Sequence, residues 1–269
     1  MPVGDRPRIY AQRVHEPTSG QWIPHSSAGG EQPKFTASVV DATGNVRQVL
    51  VKFSPPEGET TPAAQRWRDL LRAEFHALSL LARDGLASFG AQAAATELLR
   101  GTDGRWYLES TRFDRMGGLG RAPVFSLRTL LIEAKGTLPR WAAAARVLHE
   151  HGCIDEDTLT RIRFLDAYGH FLGNTDRHSG NLAFQPGLPG GSSNFVVAPA
   201  YDFLPMQYAP DSQGSVVPGF QGIPDYTEAE GDEVALAKTA ATLFWQEIAR
   251  DSEMSDDFRK LACQHADAL

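Results

Sequence analysis

Cysteine is scarce: Cys153 and Cys263 are the only two in a chain of 269 residues. That excludes a disulfide framework and leaves no thiolate spacing for a metal site. Two free thiols fit a reducing compartment. Long apolar runs are missing as well. No stretch approaches the roughly 18–20 residues of a membrane span. Met1 to Tyr10 is polar and carries two prolines, unlike the apolar core of a signal peptide. The expectation is a cytoplasmic protein that engages no membrane. Basic charge is in deficit, with 26 Lys and Arg against 33 Asp and Glu and a net charge of −7. Such a balance argues against a nucleic-acid-binding surface over the whole chain. Of the 8 histidines, His15, His149 and His151 form no constellation, so no histidine metal site is expected.

What is present is punctuation between two kinds of periodicity. Residues 1–26 are rich in Pro, Gly, Ser and Arg and read as an irregular lead-in. Phe35 to Val40 and Val46 to Phe53 read as strands around the Asp41–Asn45 turn, with Val49, Val51 and Phe53 on one face. Arg66 to Arg83 reads as a helix, with Leu71, Phe75, Leu78 and Leu81 as its stripe and Gly85 as its cap. A second hairpin spans Ala94 to Phe113 around Gly101–Gly104, and Gly117, Gly118 and Gly120 make a flexible joint. Beyond it the chain reads as helical near 126–135, 139–151, 155–172, 232–249 and 254–267, with Asp155 as a cap. Short strands are expected near 181–185 and 194–198, and 207–230 reads as loop. The expected fold is α+β and bilobal: a β-rich small lobe with a hinge (1–115) and a helical large lobe (116–269).

The chemistry concentrates in Gly173-Asn-Thr-Asp-Arg-His-Ser-Gly-Asn181, followed by Tyr201-Asp202-Phe203. ATP-dependent phosphotransferases space Asp, Asn and Asp in this way. One carboxylate orients an acceptor hydroxyl, and an amide oxygen and a second carboxylate hold Mg²⁺ against the ATP phosphates. Asp176, Asn181 and Asp202 fit those roles by type, order and distance. Asp176 as a helix cap or turn residue, with Asn181 as a strand-start turn, is the plainer alternative. His178 holds loop geometry or takes part in the chemistry, and Arg177 pairs with a carboxylate or a phosphate.

Val49-Leu-Val-Lys-Phe53 sets Lys52 in an apolar strand, where an ammonium is costly unless an anion pairs with it. Glu74 on the following helix is the natural partner; a solvent-facing Lys52 and a surface Glu74 are the alternatives. Ser26-Ser27-Ala28-Gly29-Gly30-Glu31-Gln32-Pro33-Lys34 precedes the first strand. Its small residues let backbone N–H groups approach phosphate oxygens, although the spacing is not that of a Walker loop.

Together these pieces resemble the HipA family of bacterial serine/threonine kinases, the toxins of toxin–antitoxin modules. The matching segments are Ser27 to Lys34, Val51-Lys52-Phe53, Arg112-Phe113-Asp114-Arg115, Gly173 to Asn181 and Tyr201-Asp202. The Asp-Arg-His-x-x-Asn core is also similar to the catalytic loop of phosphatidylinositol kinases. The resemblance implies an ATP- and Mg²⁺-dependent protein kinase with Asp176 as base and Asn181 and Asp202 on the metal. Lys52 would meet the phosphates under a loop of Gly29, Gly30, Glu31, Gln32, Pro33 and Lys34. Thr111, Arg112 and Phe113 would read adenine through backbone hydrogen bonds, Asp114 would bind the ribose, and His178 and Tyr201 would line the nucleotide site. It also implies autophosphorylation on Ser27 or the adjacent Ser26, an aminoacyl-tRNA synthetase as protein substrate, and an antitoxin partner. Only about 26 residues precede the loop, which is the pattern of a short-form member. A nucleotide-binding pseudokinase that acts on a repressor, and a lipid or small-molecule kinase, are the two other classes.

Overall fold

In the computed structural model, residues 1–15, 32–83, 86, 92–133, 140–191 and 194–269 are described. Strands β1 (Lys34–Val40) and β2 (Val46–Phe53) form the first antiparallel hairpin, with Phe35 opposite Val51 and Lys34 opposite Lys52. Strands β3 (Thr96–Arg100) and β4 (Trp106–Thr111) form the second, and β2 pairs with β4 to give the sheet order β1-β2-β4-β3. Period-two alternation then divides the residues between two faces. Val51, Phe53 and their partners Glu109 and Tyr107 lie on the outer face; Lys52 and Leu108 lie on the inner one.

The outer face carries a helix where the sequence suggested irregular chain. After a turn at Val3–Asp5, α1 (Arg6–His15) lies across the sheet. Tyr10 is fully buried against Phe35 and Tyr107, and its hydroxyl donates to Glu109 at 2.7 Å. Arg6 donates to Glu97 at 2.7 and 2.8 Å and to both oxygens of Glu109 at 3.0 Å. The inward face of α1 is thus partly polar, matched to a glutamate that is itself 0% exposed. A hydrophobic-period reading passes over such a helix.

The inner face meets α2 (Pro62–Leu81), which starts four residues before the expected Arg66. Thr61 caps it by accepting from the Ala64 N–H at 3.2 Å, with Pro62 at the first helical position. Gly85, expected as its C-terminal cap, lies outside the described residues. This helix is buried on nearly every side. Leu70, Ala77, Leu78 and Leu81 join the core of the helical lobe rather than the sheet's own small core. Tyr168 donates to the Ala77 carbonyl at 3.2 Å, and Arg72 reaches both oxygens of Asp251 at 2.8 and 2.7 Å. Residues 1–115 therefore contribute to both cores.

The helical lobe comprises α3 (Leu127–Glu133), α4 (Trp141–Glu150), α5 (Glu156–Phe171), α6 (Asp232–Arg250) and α7 (Asp256–Ala268). Asp155 caps α5 through the Thr158 N–H at 3.0 Å. The supposed flexible joint is a small hairpin, β5 (Arg115–Met116) with β6 (Gly120–Arg121). Strands β7 (Phe125–Ser126), β8 (Ala183–Pro186) and β9 (Phe195–Val197) form a three-stranded sheet that frames the 173–181 loop and the loop at Asp202. Among the described residues, no helix is long and apolar enough to cross a membrane.

Candidate active site

Lys52 from β2, Asp176, His178 and Asn181 from the loop between α5 and β8, and Asp202 from the loop after β9 line one cavity of about 350 Å³. Gln32 and Lys34 close it at the sheet end, and Trp67, Thr175, Leu204 and Met206 complete the wall.

Lys52 is 8% exposed and sits between two carboxylates. Its Nζ donates to Glu74 at 2.7 and 2.8 Å and also to Asp202. Burial disfavours the ammonium, but the charges of Asp202 and Glu74 outweigh it and hold Lys52 above the ordinary lysine range. Burial likewise works against the Asp202 carboxylate, yet Lys52 brings it below the usual range. Glu74 bears the imbalance. Its burial, with Asp202 adding repulsion, pushes it up to about 7 although Lys52 pulls the other way. Lys52 is shared between the buried Glu74 and the partly buried Asp202, so it offsets the burial of Glu74 only in part.

Asp202 is the one non-glycine residue at positive φ among those described, at 59°. That left-handed backbone costs energy for a residue with a Cβ and is held by its surroundings. The next residue, Phe203, anchors it in the large core, with ring centroids 5.9 Å from Tyr168 and 5.8 Å from Trp141.

The loop at 173–181 is tied down at each step. Gly173 has φ +73°, and a Cβ there would lie 2.4 Å from Gln207 Nε2, so both conformation and space call for glycine. The buried Asn174 side chain accepts from the Asp176 N–H at 3.0 Å. Arg177 donates to Asp166 at 3.0 Å and to the Asn174 carbonyl. Of the two partners open to Arg177, the structure gives it a buried carboxylate. Asn181 Nδ2 donates to the Asp176 carbonyl and to Asp176 Oδ2, both at 3.0 Å, so Oδ1 is the amide atom that could hold a metal ion. The Gly180 N–H donates to His178 Nδ1 at 2.9 Å, so the proton of a neutral ring resides on Nε2, 3.4 Å from Asp176 Oδ1.

The segment read as the hinge departs from expectation. The Thr111 and Arg112 N–H groups already donate to the Ala95 and Gln48 carbonyls at 2.8 and 2.9 Å. Those two donors are part of the sheet and are not offered to a base. Asp114 is gripped by Arg112 at 2.9 and 2.7 Å and by Arg115, and the Arg112 guanidinium holds its carboxyl below the usual range. Phe113 stands 5.8 Å from the ring of Tyr201, whose hydroxyl donates to the Gly180 carbonyl at 3.2 Å. None of residues 111–114 lines the cavity. Ser26, Ser27, Gly29, Gly30 and Glu31 lie outside the described residues. Pro33 ties the start of β1 to the end of β2, its carbonyl accepting from the Phe53 N–H at 3.2 Å.

Trp67, Thr175, Leu204 and Met206 were not singled out in the sequence. Trp67 lies seven residues before Glu74, two helical turns along the same face, which is the signal that would have found it. Leu204 and Met206 closely follow Asp202, and Thr175 is inside the motif.

A sheet lobe with a buried lysine–glutamate pair, set on a helical lobe that presents Asp176, Asn181 and Asp202, is a kinase-like bilobal arrangement. Two solved structures share the fold. HipA of Shewanella oneidensis MR-1, solved with HipB and operator DNA, aligns at a TM-score of 0.53 and 15% identity over 97% of this chain and 68% of its own. The proinflammatory kinase CtkA of Helicobacter pylori aligns at 0.53 and 16% over 91% and 90%. The chain belongs to the HipA-like C-terminal domain family, whose model matches residues 26–259. Toxin YjjJ of Escherichia coli strain K12 is 35% identical over 262 residues, 97% of this chain. The chain spans 56% of the length of that curated relative. The α+β bilobal expectation and the family resemblance both hold.

Proposed function

We propose that this protein is an ATP- and Mg²⁺-dependent protein serine/threonine kinase of the HipA-like toxin type. One observation carries the reading: Lys52 and Asp202, 150 residues apart in sequence, meet in a cavity that also holds Asp176 and Asn181.

The residues fit both groups. Both amide atoms of Gln32 are buried at the cavity without a hydrogen-bond partner among the described residues, an arrangement suited to a polar ligand. Asn181 Oδ1 and the Asp202 carboxylate offer hard oxygen donors, as Mg²⁺ prefers. Bound Mg²⁺ supplies charge neutralisation along the phosphates. Lys52, fixed by Glu74, supplies a positioned cation for the same phosphates. Asp176, oriented by Asn174 and Asn181, aligns an acceptor hydroxyl and takes its proton on the carboxylate. Trp67, Leu204 and Met206 form an apolar wall that limits water around that hydroxyl. Positioning and electrostatics then supply most of the rate. Phe113 of the hinge set, with Tyr201 beside it at 5.8 Å, offers ring surface for a base.

Incubation with γ-labelled ATP and Mg²⁺, beside Asp176→Ala, tests the reading by label and intact mass. Label in the wild type alone, as a gain of about 80 Da per phosphate, supports it and maps the serine, with Ser27 and Ser26 as the expected sites. Equal label in Asp176→Ala removes Asp176 from the role of base. Tight ATP binding without transfer to any lysate protein makes the chain a pseudokinase, and label in a lipid extract makes it a lipid kinase. Growth arrest on expression, lost in Asp202→Ala, is expected of a toxin that modifies a translation enzyme such as an aminoacyl-tRNA synthetase. A co-expressed antitoxin protein would relieve it.

A further inference from the structure

A second cavity, of about 370 Å³, lies between α5 and the β8–β9 hairpin and shares no residue with the first. Its walls are hydrocarbon from Leu165, Val196, Val197 and Pro199. Three polar residues also line it, Arg161, Gln92 and Gln185. Arg161 is half-buried, and among the described residues its guanidinium has no carboxylate and no hydrogen-bond acceptor. On α5, Glu156 lies 3.2 Å from His149 and Arg163 has Glu233 at 3.7 Å, while the exposed Asp157, one turn before Arg161, makes no ion pair with it.

Arg161, half-buried at a cavity with apolar walls, is a cation without a paired anion among the described residues. Its planar fork matches a carboxylate through two parallel hydrogen bonds, which are strengthened where water is thin. The apolar walls gain from covering an alkyl chain. The volume is at the small end of the roughly 300–1,000 Å³ typical of small-molecule sites.

We propose that this cavity binds a small apolar monocarboxylate, with its carboxylate on Arg161 and its hydrocarbon tail against Leu165, Val196, Val197 and Pro199. The site is joined by the chain to the first one. Pro199 leads through Ala200 and Tyr201 to Asp202, and Gln185 Nε2 donates to the Phe113 carbonyl at 3.4 Å. Occupancy of this cavity is read by binding alone, independently of phosphotransfer.

Octanoate serves as the probe on the full chain, by calorimetry and by melting temperature, with octanol and octylamine as length-matched controls. Saturable binding of octanoate at one per chain is expected, with both controls and Arg161→Gln weaker by at least about tenfold. Arg161 has no partner to lose among the described residues, so the unliganded Arg161→Gln protein should melt with the wild type. Val196→Asp, which sets a like charge in the wall, should also lose octanoate. Absence of saturable binding up to millimolar octanoate overturns the site. Equal binding of octanol, or undiminished binding by Arg161→Gln, overturns the assignment of the carboxylate to Arg161.

Discussion

Lys52 donates to both oxygens of Glu74, at 2.7 and 2.8 Å, yet Glu74 remains the strained member of the pair because Lys52 also serves Asp202. This yields a signed pH dependence. Glu74 is raised from 4.5 to about 7 in the fold, so the folded state holds its proton more tightly than the unfolded chain does. The stability it contributes is full below pH 4.5 and is lost as pH rises through about 7. His265 acts in the opposite sense. Burial lowers it to about 4 from 6.5, so its contribution is present above 6.5 and lost as pH falls toward 4. The two separate by difference: urea denaturation of Glu74→Gln against wild type should show the alkaline loss flattened. Parallel curves across that window would mean that Glu74 is ionised throughout.

Lys52→Met removes the only cation hydrogen-bonded to Glu74 among the described residues. Breaking a buried pair from one side costs about 3–5 kcal/mol. Here part of that cost is avoided in acid, where Glu74 takes up a proton. The variant should lose phosphotransfer outright, and its stability deficit should be larger near pH 8 than near pH 5.5, at about those values. A deficit independent of pH would show that the lysine acts by packing alone.

Gly173→Ala meets two penalties that a double variant separates. Left-handed backbone costs a non-glycine residue about 1–2 kcal/mol. The added Cβ also falls 2.4 Å from Gln207 Nε2. Truncation in Gly173→Ala/Gln207→Ala relieves the clash and leaves the backbone cost. Chemical denaturation should therefore place the double variant between Gly173→Ala and wild type. If Gln207→Ala brings no recovery, the side-chain clash has no part in the loss.

Local patterns were legible where residues near in sequence act together. Asp176 and Asn181 are five apart and Asp202 lies on the next loop, so their spacing was visible as a string. Lys52 stood out because an apolar strand makes a lone ammonium conspicuous. The contact between Lys52 and Asp202 was not legible, since it depends on how two lobes close. Nor was the engagement of the Thr111 and Arg112 N–H groups, which is set by strand register against Gln48 and by the turn of chain at Ala95. Helix α1 escaped for a different reason. Its buried positions include Arg6 and Tyr10, residues that read as surface until Glu109 is known to lie beneath them.

The hold of Glu109 on α1 is measurable through Arg6. Glu109 is completely buried and is shared by Arg6, Tyr10 and Arg47. Arg6→Ala leaves Glu109 with one guanidinium and one hydroxyl, and Glu97 with Arg47 at 3.7 Å. Because Arg47 remains, the loss should lie near the lower end of the range for one-sided removal, about 3 kcal/mol. Adding Glu109→Gln to Arg6→Ala removes the stranded charge while keeping the shape, and should recover part of the loss. Non-additivity in that double-mutant cycle measures the coupling directly. If the two losses simply add, α1 is held by Tyr10 and its apolar contacts, and the ion pair contributes no net stability.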